Sequence, residues 1–245
     1  MSLHKTNGIV FHTTPYGNTS IVAKIYTEQF GLQSYIVNSV RSAKAKNKNN
    51  YFQPLSLVSL VVYHKPGISL QRISEISFSH TLNNISGNIV KTTQTLFITE
   101  VLYRSIKEEE KNAELFHFIQ TSVLFLDAGE NGYINFHLLF LLKLSVHLGF
   151  KPDGVYSEQN NIFNLSDGIF QSIVPVHPYS ISGETAQLFS QLNSCSYKDL
   201  KTFAISKSQR DSITEMLLLY FQLHLPGGFK VISYQILKEI SSGYS

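Results

Sequence analysis

Apolar and polar positions in the first eighty residues alternate with a period of two, in short runs rich in β-branched and aromatic residues. Turn sequences separate these runs, among them "TTPYGN", "EQFG" and "KPG". In one run Leu32, Ile36 and Val40 share a face. Five such strands with one longer polar connection are typical of a small closed barrel. The pattern therefore predicts a five-stranded β-barrel over residues 1–80.

From about residue 86 the alternation disappears and the apolar positions take a helical spacing. The segment "YINFHLLFLLKLSVHLGFKP" is apolar on most sides, which is typical of a central, buried helix. The pattern predicts helices in seven segments: "GNIVKTTQTLFITEVLYRSIKEEE", "AELFHFIQTSVLFLD", "YINFHLLFLLKLSVHLGFKP", "GETAQLFSQL", "KDLKTFAI", "SQRDSITEMLLLYFQLHL" and "FKVISYQILKEI".

One stretch interrupts the helical pattern. Residues 150–178 combine Gly, Pro, Asn and Asp at turn spacing with short apolar patches, which predicts a small two-stranded lobe inserted into the helical part. We therefore expect an α+β protein with a barrel domain at residues 1–80. A helical domain at residues 81–245 would carry the lobe at about residues 150–178.

Composition narrows the class of protein. The chain of 245 residues is 43% hydrophobic, which is ordinary for a globular protein. Its single cysteine, Cys195, excludes an internal disulfide and a cysteine-based structural zinc site, and favours a reducing compartment. The polar N-terminus and the charges within the longest apolar stretch argue against a signal peptide and a membrane span. We therefore expect a cytoplasmic protein.

Charge is distributed unevenly along the chain. Residues 1–80 hold eight Lys or Arg against two acidic residues, a net charge of +6, whereas residues 81–245 hold twelve against fifteen, a net charge of −3. Arg41, Lys44, Lys46 and Lys48 lie within one polar stretch that contains no acid. This asymmetry predicts that the barrel meets a polyanion. A basic, merely solvated face is the alternative.

The cationic stretch suits a nucleic acid because each lysine on a polar loop can reach a different phosphate. Small barrels bind single strands by combining such cations with aromatic rings on which bases stack. Aromatic residues flank the stretch, although each also fits a core position. The predicted nucleic-acid contacts are Arg41, Lys44, Lys46, Lys48, Lys5, Lys24, Lys65, Arg72, Tyr35, Tyr51 and Phe52.

Catalytic chemistry has little support in the sequence. There is no hydrolase, zinc-protease or nucleotide-binding motif, and the histidines are scattered. Glu108, Glu109 and Glu110 are consecutive, so they point in different directions from a helix end and form a poor acid and base pair. We expect no enzyme and no cofactor. A nuclease stays open as an alternative only through these three carboxylates.

Nearly the whole chain resembles the bacterial RecO family of recombination mediators. The resemblance rests on "KTNGIVFHTTPYGNTSIVAKIYTEQFGLQSYIVNSVRSAKAK" and "FQPLSLVSLVVYHKPGISLQRISEI" in the barrel. It continues through "TLFITEVLYRSIKEEEKNAELFHFI", "NFHLLFLLKLSVHLGFKP" and "LLLYFQLHLPGGFKVISYQIL" in the helical part. Ser39 and Val40 precede Arg41 where a glycine is usual in the family.

The resemblance implies an OB-fold barrel, then a helical domain with an inserted lobe. It also implies binding of single- and double-stranded DNA, annealing of single strands, and association with the nucleoid. With RecR, the protein would load RecA onto DNA coated by single-stranded-DNA-binding protein. Many relatives carry four cysteines in the lobe, whereas "GVYSEQNNIFNLSDGIFQSIVP" has none, so we expect no zinc there.

Two isolated cations, Arg104 and Lys143, lie on strongly apolar helices. A lone cation beside apolar surface can hold a peptide carboxylate. The resemblance implies such a peptide: the C-terminal tail of single-stranded-DNA-binding protein. Alternatively, both residues lie at the edge of the core or pair with Glu100 and Glu108. For the whole chain, a non-catalytic protein-interaction adaptor with a basic barrel is the alternative function.

Overall fold

The computed structural model describes residues 2–38, 40, 48–129 and 133–241. Five strands close a barrel in the order β1-β2-β3-β5-β4, which confirms the predicted five-stranded, OB-like architecture. β3 pairs with β5 in parallel, and the other neighbours are antiparallel. The strands are β1 (Ser2–Tyr16), β2 (Ser20–Thr27), β3 (Gly31–Val37), β4 (Leu57–His64) and β5 (Gln71–His80).

The barrel interior is filled by alternate residues of its strands. β1 is long enough to pair with β4 through residues 2–9 and with β2 through residues 8–16. A 3-10 turn, Lys48–Phe52, precedes two backbone hydrogen bonds that tie Leu55 and Ser56 to Val10. The buried interior cluster contains Val10, Ile21, Ala23, Ile25, Tyr35, Val37, Val40, Phe52, Val58, Leu60 and Val62.

The first compact unit comprises Met1–Asn88 and Thr95–Asp127. The predicted boundary after residue 80 coincides with the end of β5, and this unit also contains most of α1 (Ile89–Ser105) and of α2 (Ala113–Ala128). On the outside of the barrel, Phe11 stacks on Tyr26 with ring centroids 5.6 Å apart. Phe116 of α2 lies 6.3 Å beyond Tyr26. Helix α2 therefore covers one part of the outer barrel surface.

The second compact unit comprises Ile89–Gln94 and Ala128–Ser245. Helix α3 packs against α4 and α5, and its sequence is buried on nearly every side, as its pattern predicted. Three short strands form a sheet in the order β7-β6-β8. The elements are α3 (Phe136–His147), β6 (Ile162–Asn164), β7 (Ile169–Gln171), β8 (Ser180–Ser182), α4 (Gly183–Asn193), α5 (Lys207–His224) and α6 (Tyr234–Ile240).

Two local predictions are wrong. The lobe has three strands rather than two, because β8 follows the predicted lobe and pairs with the free side of β6. The segment "KDLKTFAI" forms only a 3-10 turn, Asp199–Lys201, since the Asp199 carboxylate accepts hydrogen bonds from the backbone N–H and hydroxyl of Ser196, both at 2.7 Å. Helix α5 begins later, at a capping box formed by Ser206 and Gln209.

Candidate nucleic-acid interface

The strand register aligns one row of side chains around the outside of the barrel. Residues directly opposite each other on neighbouring strands point to the same face of a sheet. Tyr35 and Val37 are buried inside, so their neighbour Ile36 points outward with its cross-strand partners. The row runs Thr14, Val22, Ile36, Arg72, Tyr63 and Leu3.

This outer row combines apolar, aromatic and cationic side chains in contact with solvent. Leu3 is 55% exposed, and Val22, Ile36 and Tyr63 are half-buried. Arg72 is exposed in the middle of the row. Near the β1–β2 turn, Tyr16 adds a ring that is 53% exposed. Such a mixture offers apolar surface for bases and a cation for phosphates.

The other predicted cations lie on the same barrel. Lys5 and Lys24 are on the outer strand surface. Lys5 of β1 lies opposite Val61 of β4, and Val61 in turn lies opposite Glu75 of β5. Lys65 is exposed in the β4–β5 turn, and Lys48 is exposed at the start of the 3-10 turn. Among the described residues, none of the five predicted cations on the barrel forms an ion pair. Their charges are therefore available to an anionic ligand.

Arg41, Lys44 and Lys46 fall outside the described residues. The residues before them are held on the barrel: the Ser20 hydroxyl donates to the Asn38 side-chain oxygen at 3.2 Å, and Val40 is buried. Ser20 begins β2 and pairs with Tyr16. Asn38, three residues before Arg41 in the chain, thus lies beside the β1–β2 turn.

The aromatic predictions have mixed outcomes. Tyr35 is fully buried and Phe52 is 4% exposed, so neither ring presents a face to a base, and the predicted stacking role is corrected to a core role. Burial raises the pKa of the Tyr35 hydroxyl. Tyr51 is half-buried and packs 4.6 Å from Phe78. Alternation alone did not tell which face of β3 would be inside.

The two predicted peptide-binding cations belong to different compact units. In the first unit, Arg104 forms an ion pair with Glu100 at 2.8 Å, four residues earlier on α1. In the second unit, Lys143 is half-buried on α3, and its charge acts on the Cys195 thiol. Burial and the Asp199 carboxylate outweigh this effect and raise the pKa of Cys195.

Of the three carboxylates considered for catalysis, that of Glu108 takes part in a local hydrogen bond. A side-chain oxygen of Glu108 accepts the backbone N–H of Lys107 at 3.1 Å, and its carbonyl accepts the N–H of Leu32 at 3.0 Å. Within the described ranges, no three His, Cys, Asp or Glu side chains are grouped so as to hold a metal ion. No helix in the described part of the chain is long and apolar enough to span a membrane.

Comparison with known proteins covers both parts of the chain. Residues 1–82 match the family described as "Recombination protein O N terminal", and residues 86–231 match "Recombination protein O C terminal". The chain belongs to the RecO family. The earlier resemblance to this family is thereby confirmed.

Several RecO relatives are similar over almost their whole length. The DNA repair protein RecO of Bacteroides fragilis is 35% identical over 239 residues, which covers 97% of this chain and 99% of the relative. The proteins of the same name from Phocaeicola vulgatus and Flavobacterium psychrophilum are 32% and 33% identical over 240 residues. They cover 98% and 97% of this chain, and 100% and 99% of the relatives.

Proposed function

We propose that this RecO family member is a non-catalytic recombination mediator in DNA repair. It binds and anneals single-stranded DNA on the outer surface of its barrel, and with RecR it loads RecA onto DNA coated by single-stranded-DNA-binding protein. The observation that carries the proposal is the outward row in which Arg72 lies between Ile36 and Tyr63. Family membership and the names of the relatives support the role in DNA repair.

The chemistry of this surface suits binding without sequence preference. Lysine and arginine contacts to phosphate release counterions, and that release drives binding of either strand whatever its bases. Half-buried apolar rings stack on any base, because every base has a π-face. Annealing requires binding without sequence preference, because both complementary strands must be bound until they pair. The same phosphate contacts would bind duplex DNA.

A salt titration of single-strand binding tests the proposal. The fourfold variant Arg41→Ala, Lys44→Ala, Lys46→Ala and Lys48→Ala should bind all sequences more weakly. Its slope of log affinity against log salt should fall by about 0.7 for each lost phosphate contact. An unchanged slope would exclude the cationic stretch from the DNA surface and leave that surface to the strand cations Lys5, Lys24 and Arg72.

A charge-matched control should accompany that variant. Four lysines are exposed in the second compact unit, and their joint replacement by alanine should leave the slope unchanged: Lys151, Lys198, Lys201 and Lys230. An annealing assay with complementary oligonucleotides then separates mediation from binding. The fourfold variant should anneal more slowly than the control. Equal annealing rates would contradict the proposed role of the cationic stretch.

We further propose that the helical part captures the C-terminal tail of single-stranded-DNA-binding protein. Lys143 is half-buried on a largely apolar helix, where a desolvated cation binds a carboxylate strongly. Lys143→Ala should weaken binding of a fluorescent tail peptide and leave DNA affinity unchanged. Arg104→Ala should have a smaller effect because Glu100 already neutralises this guanidinium. If neither variant affects the peptide, both residues are excluded from the tail site.

A protein-interaction adaptor is the second candidate function. It is favoured by three strongly exposed aliphatic side chains in the connection between β7 and β8: Ile173, Val174 and Val176. An adaptor predicts no salt-dependent affinity for DNA, whereas the mediator predicts a steep dependence. The salt titration therefore discriminates between the two functions.

A further inference from the structure

An aromatic and cationic cluster lies where α1 ends beside the barrel, within the first compact unit. His12 and Lys24 are opposite each other on β1 and β2, on the outer surface. The His12 ring stacks on Tyr103 of α1, with centroids 4.8 Å apart and an interplanar angle of 26°. The Lys107 ammonium lies 5.0 Å from the centroid of the Tyr103 ring and donates to the Tyr103 carbonyl oxygen at 2.8 Å.

These contacts hold a lysine in a defined position without neutralising it. One of the three donors of the Lys107 ammonium is used by the Tyr103 carbonyl, which leaves two for a ligand. Lys107 is otherwise exposed. Its ammonium is held against an aromatic ring, so less side-chain entropy is lost when it binds an anion. The cluster is thus partly preorganised.

Charges of both signs lie near Lys107, and three carboxylates follow it directly in the chain, Glu108, Glu109 and Glu110. Burial lowers the pKa of Lys107, the charges of Lys24 and Arg104 lower it further, and Glu108 opposes them. Arg104 is paired with Glu100, and the Glu108 carboxylate accepts the backbone N–H of Lys107. Within the part of the chain that the structure describes, Lys24 has no ion pair. Lys24, opposite His12, and Lys107, over the Tyr103 ring, thus lie on the two sides of the His12–Tyr103 pair, where an anion would relieve their mutual repulsion.

The cluster is continuous with the outer row of the barrel. Next to His12 along β1, Phe11 is buried in the stack with Tyr26 that α2 covers. In the other direction, Lys24 is two residues from Val22, which belongs to the outer row, and both are half-buried on the same face of β2. The end of α1 therefore lies at the border between the covered and the open parts of the barrel surface.

We propose that the C-terminal end of α1 extends the nucleic-acid interface of the barrel. Lys107 and Lys24 bind one phosphate of the DNA backbone, and the exposed side of the His12 ring receives the adjacent base. Tyr103 acts as a positioning residue, because its ring contacts both His12 and the Lys107 ammonium. The inference rests on the proposed function, and it adds the end of α1, which lies outside the barrel strands, to the proposed DNA-binding surface.

The decisive comparison is between Lys107→Gln and Lys111→Gln. Both lysines are exposed and four residues apart in the same compact unit, so both variants remove one positive charge from the same region. With a fluorescent oligothymidine, Lys107→Gln should lower the salt slope by about 0.7 and weaken single-strand binding several-fold. Lys111→Gln should bind like the unaltered chain. Lys107→Arg should restore the slope, because it retains the charge.

A second pair of variants tests the base contact. His12→Ala should weaken single-strand binding roughly fivefold or more, since a stacked base contributes that much. His80→Ala replaces another exposed histidine of the barrel and should have no effect. Circular dichroism melts of all variants establish that each one folds.

The outcomes separate this inference from the proposed function. If Lys107→Gln and Lys111→Gln share the slope of the unaltered chain, while Arg72→Gln still lowers it, the extension is wrong and the barrel interface stands. If His12→Ala binds single-stranded DNA as tightly as the unaltered chain, the proposed contact between His12 and a base is wrong. If the unaltered chain does not bind single-stranded DNA, both the proposed function and the extension are overturned.

Discussion

Acidification should destabilise the second compact unit through a single buried side chain, His137. This histidine of α3 is 2% exposed, and its Nε2 lies 3.1 Å from the hydroxyl oxygen of Thr214 on α5. Burial lowers its pKa from 6.5 to about 3, and the nearby positive charge of Arg210 acts in the same direction. A hydrogen bond with the backbone of Ile134 opposes them only in part. The folded protein therefore keeps this imidazole neutral.

The sign and size of the effect follow from proton linkage. Below pH 6.5 the unfolded chain gains a proton at His137 that the folded chain takes up only near pH 3, so stability falls as the pH falls through this window. Between these two pKa values, each pH unit changes the free energy of unfolding by about 1.36 kcal/mol. At about pH 4.5 the loss relative to neutral pH is therefore about 2.7 kcal/mol. Above pH 6.5 the contribution no longer changes.

Urea unfolding at about pH 7 and about pH 4.5 measures this loss in free energy. His137→Gln removes the titrating group, so its free energy of unfolding should depend less on pH than that of the unaltered chain, by about 2.7 kcal/mol between the two conditions. The absolute stability of this variant will also change, and only the pH dependence is compared. His80→Gln, at an exposed position, serves as the control and should keep the original pH dependence. Equal pH dependence in all three proteins would refute the argument.

The remaining predictions concern stability, the interface and metal content. Gly31→Ala should destabilise the first unit by roughly 2–5 kcal/mol in thermal unfolding, because φ is +62° and an added Cβ would meet backbone atoms of Glu110. Gly17→Ala, at φ +58° with open space around it, should lose only about 1–2 kcal/mol. Asp127→Ala should cost roughly 2–4 kcal/mol in urea unfolding, because its carboxylate accepts three backbone N–H groups that precede α1, whereas Asp127→Asn should cost less. Tyr35→Phe should leave stability and DNA affinity nearly unchanged, because its buried hydroxyl has no hydrogen-bond partner among the described residues; a large loss of affinity would return this ring to the interface. Elemental analysis of purified protein should find no stoichiometric zinc, and one bound equivalent would contradict the inference from the cysteine-free lobe.

The kinds of elements and much of their order can be read from the hydrophobic pattern alone. Period-two runs separated by turn residues were sufficient to predict five strands, because half-buried strands must alternate. Long apolar segments with helical spacing were sufficient to predict α2 and α3. The net positive charge of residues 1–80, against the net negative charge of the rest, predicts that the barrel binds a polyanion. Net charge can be counted without knowing the fold.

Local patterns also misled where only short segments were involved. The segment "KDLKTFAI" has helical spacing but forms a turn, because the Asp199 side chain competes for the local backbone donors. The third strand of the lobe, β8, has only three residues and gains its partner from β6, which is sixteen or more positions earlier. Such long-range pairing leaves no trace in a local window.

Which side of each strand faces the barrel interior depends on the folded arrangement of distant segments. Leu32 and Ile36 share a face of β3, as the alternation predicted, but closure of the barrel puts Tyr35 and Val37 inside and leaves that face outside. Val40, predicted to share the face of Leu32 and Ile36, belongs instead to the interior cluster. Ile36 then joins Arg72 on the open surface, through a parallel pairing of strands that are distant in sequence. Likewise, Tyr103 reaches His12 only because α1 returns to the barrel. Alternation defines two faces, but which face is buried depends on what packs against it, and that is set by contacts between segments far apart in the chain.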